Sequence, residues 1–374
     1  MRSKAGMGIF RAMKVLRLLR NLLIGVAAII LVALICIGSV WLYFHPRLQV
    51  DSAVVYGHRH GQDLTLDVLR PARPNGIGIV LMASGGWKSQ AGSFRPWIAA
   101  PLVRRGYTIF AVYHVAQPKA TVMEITEDVN RAVRYIRHNA GQYGVDPQRL
   151  GVTGGSSGGH LSLMLATRGG PGDATTADPV DHESSAVQAV AIFYPVTDLL
   201  NLGKSTENLG DSGPPKSFVK AFGPTATNLA AWKVIGHEMS PIYYVTSNLP
   251  PSLIYHGDAD TLVPLDQSER FQAEARKQGR IVEVVIHHGG KHGWLSMFWD
   301  LRRFADWFDL YLRQPARKYS QLRPGGAPVA DPARGVLSGA RLTVARRVGD
   351  RRSANPAATT DRLAVHWESP PLLR

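Results

Sequence analysis

The 374-residue chain contains one cysteine, Cys36. A single thiol excludes an intramolecular disulfide framework. Metal-ligand spacings are missing too, because none of the 13 histidines falls in an H-E-x-x-H pattern. No metal and no cofactor is expected. The N-terminal segment lacks acids and carries Arg2, Lys4, Arg11, Lys14, Arg17 and Arg20. The segment from residue 314 onward is also mainly basic. These two ends hold most of the formal net charge of +15, so the part between them is close to neutral. A nucleic-acid footprint needs its basic residues on one folded face. Here they sit on the ends, so no nucleic-acid partner is expected. No internal repeat is visible.

What is present begins with an apolar run. Leu22 to Phe44 contains neither a charge nor a proline, and a helix of that length crosses a hydrocarbon core of about 30 Å. The run ends in Val40-Trp41-Leu42-Tyr43-Phe44, too bulky for easy signal cleavage and suited to an interfacial belt. Residues 22–44 are therefore expected to be a transmembrane anchor. The basic segment 1–21 before it predicts a cytoplasmic N-terminus. The remainder would then be extracytoplasmic, or periplasmic in a Gram-negative cell. Cys36 reads as an apolar filler of the span.

Beyond a short linker over 45–51, strand and helix patterns alternate. Strands are expected over 64–69, 77–82, 107–113, 150–153, 189–194, 253–255 and 281–286. Helices are expected over 97–105, 125–140, 161–166, 268–277 and 294–312. This order predicts an α/β fold, with a mostly parallel sheet covered by helices on both faces. Ligands bind such sheets at the carboxyl ends of the strands. Residues 198–237 break the alternation with Gly, Asn, Ser and Pro, and read as a cap insertion over a pocket. Residues 314–374 lack periodicity and read as a disordered basic tail.

Three turns carry chemistry. Gly154-Gly155-Ser156-Ser157-Gly158-Gly159 follows a strand and precedes a helix. The pattern G-x-S-x-G fits it in two registers, centred on Ser156 or on Ser157. His256-Gly257-Asp258-Ala259-Asp260 follows a later strand, and Gly290-Lys291-His292-Gly293 follows the next. A serine nucleophile needs a base, and the base needs an orienting carboxylate. The chain order Ser, acid, His is the order these turns present. His287 and His288 compete with His292, and Asp258 competes with Asp260.

From about 52 to 312 the chain resembles an α/β-hydrolase of the esterase and lipase type. It is similar to bacterial feruloyl-esterase-like and acetyl-esterase-like enzymes, neighbours of the hormone-sensitive-lipase group. Asp146-Pro147-Gln148-Arg149-Leu150 and the serine turn are similar to that family's D-P-x-R-I and G-x-S-x-G-G. Tyr113-His114-Val115-Ala116 and Glu127-Asp128-Val129 are similar to its Y-R-L-A and E-D-V. The resemblance implies that Ser156 is the nucleophile, Asp260 the acid and His292 the base, with Asp258 a neighbour. It also implies an oxyanion hole built from the backbone N–H groups of Gly85, Gly86 and Ser157. One departure is plain: Ala83-Ser84-Gly85-Gly86-Trp87 stands where the family has His-Gly-Gly-Gly-Trp.

The expected activity is hydrolysis of a small carboxylic ester through an acyl-enzyme, by a catalytic domain over 52–313 tethered to the membrane. A prolyl-oligopeptidase-like peptidase shares the order of the three residues. A non-catalytic tethered interaction protein would share the fold.

Overall fold

The computed structural model describes residues 4–313. The tail expected over 314–374 lies outside the described residues.

Chain order runs α1 (Lys4–Phe44), β1 (Leu48–Arg59), β2 (Gln62–Pro71), β3 (Gly78–Met82), α2 (Ala100–Val103), β4 (Thr108–Val112) and α3 (Val122–His138). It continues with β5 (Leu150–Gly155), α4 (Ser157–Arg168), β6 (Ala189–Phe193), α5 (Leu229–Glu238), β7 (Ser252–Gly257), α6 (Asp266–Lys277), β8 (Val282–His287) and α7 (Met297–Leu312). The eight strands form one sheet in the order β1-β2-β4-β3-β5-β6-β7-β8. Pairing is antiparallel for β1–β2 and β2–β4 and parallel from β4 through to β8. This is the mostly parallel sheet that the pattern predicts and the α/β-hydrolase architecture that the resemblance implies.

The sheet is covered on both faces. Val129 and Val133 of α3, Leu161 and Met164 of α4 and Phe271 of α6 pack into one core. Leu102 of α2 with Phe304 and Phe308 of α7 packs into the other. β4 and β6, apolar except for Thr108, are fully buried strands, as expected where helices cover both faces.

Several elements depart from the expected boundaries, and three show why. β1 lies where a linker and unassigned chain were expected. It is a sheet edge, half of its residues exposed, with register shifts between Asp51 and Val54 and between Val55 and Gly57. Such a strand has no clean alternation to read. Its hairpin turns on His60 and Gly61, both at positive φ (50° and 70°), which is the left-handed pair that a two-residue hairpin favours. Next, α3 starts at Val122 rather than Ile125, because Thr121 and Glu124 form a capping box. Finally, α5 lies inside the insertion. Its cap is Asn228, whose side chain accepts from Ala230 N and Ala231 N at 3.0 and 3.1 Å.

α1 is longer than the apolar run. Its stretch Met13–Phe44 has a mean hydropathy of 2.9 over its most apolar window, and none of that window is buried.

Candidate active site

β5 delivers Ser156 on a sharp turn into α4. Ser156 has φ 56° and ψ −121°, a left-handed conformation that costs a non-glycine residue energy. The turn closes because its neighbours lack side chains. A Cβ on Gly154 would stand 2.6 Å from the carbonyl of Gly158, and one on Gly158 would stand 2.7 Å from Met82 O. The serine hydroxyl is thereby lifted above the carboxyl ends of β3 and β5.

Two later turns bring partners to it. Ser156 Oγ lies 2.9 Å from His292 Nε2, and His292 Nδ1 lies 2.7 Å from Asp260 Oδ2. The Asp260 side chain is fully buried. Its other oxygen accepts from Leu262 N and Val263 N at 2.9 and 3.0 Å, so the turn after β7 holds the carboxylate rigidly. An anionic acceptor at Nδ1 requires a proton there and leaves Nε2 unprotonated, facing the serine.

The competing residues lie elsewhere. Asp258 pairs with exposed His288 at 2.8 Å. His287 stacks on Trp294, with ring centroids 4.6 Å apart. His256 is fully buried behind Asp260. It donates from Nε2 to Val263 O and therefore accepts at Nδ1 from Ser268 Oγ, each at 2.7 Å. Burial lowers its pKa, so it stays neutral next to the carboxylate.

Opposite the serine, Gly85-Gly86-Trp87-Lys88 forms a tight turn with Gly86 at φ 56° and Trp87 at φ 54°. That turn engages one of the three expected oxyanion donors. Gly85 N–H donates to Lys88 O at 3.0 Å, whereas Gly86 and Ser157 line the cavity beside Ser156. Trp87 is held in its strained conformation by its indole N–H, which donates to His160 Nδ1 at 3.2 Å. His160 in turn donates from Nε2 to Met239 O at 2.7 Å.

Ser84 is not a bare substitute for glycine. Its Oγ lies 2.9 Å from His114 Nε2 and 3.2 Å from Ser157 Oγ. Sequence reasoning flags Ser84 but not its partner. His114 is 30 positions away, and only pairing of β3 with β4 brings the two together. Tyr194 is also missed, and its ring lies 4.5 Å from the His292 ring. Burial, with Asp260 close by, pushes its phenol up to about 12, so it is a neutral wall.

A cavity of about 370 Å³ opens at Ser156 and His292. Trp87, Val196 and Leu262 line it from the main domain, and Leu199, Leu202 and Phe218 line it from the insertion. Glu207 is its one carboxylate, held by Ser217 N at 2.8 Å. Among the described residues no three His, Cys, Asp or Glu side chains converge as a metal-ligand set.

The chain is similar to several known proteins. It is 29% identical over 244 residues to Esterase LipQ of Mycobacterium tuberculosis, covering 63% of this chain and 55% of that protein. It is 22% identical to the isoprenylcysteine alpha-carbonyl methylesterase ICME of Arabidopsis thaliana, covering 74% of this chain and 60% of that protein. The chain thus spans little more than half the length of the curated relatives it matches. A thermophilic esterase of Thermogutta terrifontis superposes with a TM-score of 0.55 at 26% identity, over 71% of this chain and 92% of that one. A structure of an esterase from that organism phosphonylated by sarin is also similar. The BD-FAE family model matches residues 66–275, more than half of the chain, and the chain belongs to the BD-FAE family.

Proposed function

We propose that this protein is a membrane-anchored serine hydrolase of carboxylic esters. Ser156 attacks the ester carbonyl carbon while His292 Nε2 takes its proton. Asp260 fixes the His292 tautomer and stabilises the imidazolium. The N–H groups of Gly86 and Ser157 bind the tetrahedral oxyanion. His292 then protonates the leaving alcohol, and water cleaves the acyl-enzyme by the reverse sequence. The apolar cavity takes the acyl group.

One observation carries the reading: the unbroken line from Ser156 Oγ through His292 to buried Asp260, at the mouth of an apolar cavity. The esterases similar to this chain support the substrate class, and the phosphonylated Thermogutta esterase supports an organophosphorus probe. The test is fluorophosphonate labelling of wild type and Ser156→Ala, with nitrophenyl acetate hydrolysis in parallel. Wild type is expected to label and turn over, and the variant to do neither. An unlabelled wild type overturns the proposal.

The anchor is the apolar part of α1. Basic residues ahead of it orient the N-terminus to the cytoplasm and the hydrolase domain to the other side. A periplasmic reporter fused after Leu312 is expected to be active, and an active cytoplasmic reporter there overturns the orientation. Retention of α1 predicts full-length protein in the membrane fraction, resistant to a carbonate wash.

A further inference from the structure

A second apolar cavity, of about 270 Å³, lies on the other side of the Ala83-Ser84 loop. It shares Ser84, Gly155 and Tyr194 with the first. Its remaining wall includes Phe94, Ile98, Met297 and Leu301. The two cavities are therefore neighbours on either side of these residues, and Gly155 is next in the chain to Ser156.

The two segments that bear Ile98 and Met297 also meet the end of α1. Trp97, next in the chain to Ile98, packs on Phe298, next to Met297, with ring centroids 5.0 Å apart. Phe44 closes α1 and meets Trp97 at 6.1 Å and Trp299 at 5.3 Å, while Tyr43 meets Trp299 at 5.6 Å. Arg104 clamps the same end. Its Nε donates to Tyr43 O at 2.6 Å, its other arm donates to Leu42 O, and its guanidinium lies over the Tyr43 ring. These contacts pin one face of the hydrolase domain to the end of the apolar helix. A helix that crosses a bilayer ends at its surface, so that face meets lipid.

The side chains exposed there suit such a surface. Leu295 is 97% exposed and Trp299 is 43% exposed, on the segment that also carries His292. Exposed Arg47 and Arg73 line a groove with Arg104, beside His45. Indole rings suit a membrane–water interface, and arginines pair with lipid phosphate groups.

We infer that the second cavity takes one hydrocarbon chain of a lipid carboxylic ester drawn from the bilayer at the end of α1, while the cavity under the insertion takes the other apolar group. This rests on the ester-hydrolase reading above and names its substrate class. Ser156 Oγ bonds to the carbonyl carbon and the bond from that carbon to the alkoxy oxygen breaks. The serine proton passes through His292 to the departing alcohol, and water then releases the fatty acid.

The test compares two substrates on the full-length protein reconstituted in vesicles of phosphatidylcholine and phosphatidylglycerol. One is dioleoylglycerol within the vesicles and the other is nitrophenyl acetate in the buffer. Ile98→Trp fills the cavity, and Trp299→Glu puts a charge on the lipid face. Each variant is expected to lower the ratio of lipid-ester to acetate turnover by about tenfold, the scale on which an apolar pocket discriminates. A ratio unchanged in both variants overturns the inference. A wild type that cleaves the acetate but not the lipid ester also overturns it and leaves ester hydrolysis standing. A wild type inactive on both substrates overturns ester hydrolysis itself.

Discussion

Ser84 Oγ donates to His114 Nε2 across 2.9 Å. The direction follows from the other side of the ring, where Nδ1 lies 2.9 Å from Val115 O. A carbonyl only accepts, so Nδ1 carries the proton and Nε2 is the acceptor. Ser157 Oγ, 3.2 Å from Ser84 Oγ, then donates to Ser84. The chain Ser157, Ser84, His114, Val115 thus joins the helix that bears one proposed oxyanion donor to the loop that bears the other. Ser84 and His114 are the two positions where the chain replaces a glycine and an arginine of the resembled pattern.

This relationship predicts the behaviour of Ser84→Ala. His114 Nε2 loses its donor in a buried site, and Ser157 loses its acceptor. A lost hydrogen bond of this kind costs about 1–3 kcal/mol. Melting temperature should fall. The kcat on nitrophenyl acetate should fall about five- to tenfold with KM little changed, because the donors act on the transition state. Unchanged kcat and melting temperature together would remove the loop-bracing role.

Acid should unfold this protein through its buried histidines. Burial pushes His114 and His160 down to about 4 from the ordinary 6.5. Between those values the unfolded chain takes up protons that the native state refuses, so stability is full above 6.5 and is lost as pH falls. Asp128 acts in the opposite sense, because burial pushes its carboxyl up to about 6. Two histidines outweigh one carboxyl, for a net loss of about 3–4 kcal/mol at pH 4. Thermal melts from pH 8 to pH 4.5 should show the decline. Asp128→Asn removes the opposing contribution and should steepen it, whereas a flat profile would contradict the neutral histidines.

The two serines of the turn should separate cleanly. Ser156→Ala removes the proposed nucleophile, and hydrolysis should fall to background. Ser157→Ala keeps the backbone N–H and loses only the hydroxyl bond to Ser84, so it should retain activity to within about tenfold. Loss of activity in Ser157→Ala alone would mean that the register is centred one residue later.

Legibility in the sequence followed burial and locality. β6 is an unbroken apolar run and β4 is one after Thr108, because helices cover both faces, and such runs are readable. The serine turn is readable because the backbone cannot pass there with side chains at Gly154 and Gly158. The edge strand β1 is not, because its exposed, shifted pairing leaves no period. Ser84 is visible as a departure, but the partner that explains it comes from β4 and from a tautomer set by a backbone carbonyl. Gly85 is a similar case: its commitment to Lys88 O depends on the positive φ of Trp87, which no residue preference announces. The second cavity is least legible, since its wall joins residues as far apart in the chain as Leu81 and Leu301.

Asp260→Asn offers the sharpest test of the charge arrangement. The asparagine fits the same space, and its carbonyl oxygen would keep the bonds from Leu262 N and Val263 N. That choice turns the amide NH2 toward His292 Nδ1, where the carboxylate now accepts at 2.7 Å. Nδ1 must then become the acceptor, and the imidazole proton moves to Nε2, facing Ser156. A protonated Nε2 cannot take the serine proton. The kcat should fall by about 10⁴-fold, the order seen when a triad histidine is held in the wrong tautomer. His256 gives a check on the cause, because it holds its own tautomer through Val263 O and Ser268 Oγ and should preserve the turn. The melting temperature should therefore stay within a few degrees of wild type while activity is lost. Activity within tenfold of wild type would show that Asp260 does not set the His292 tautomer.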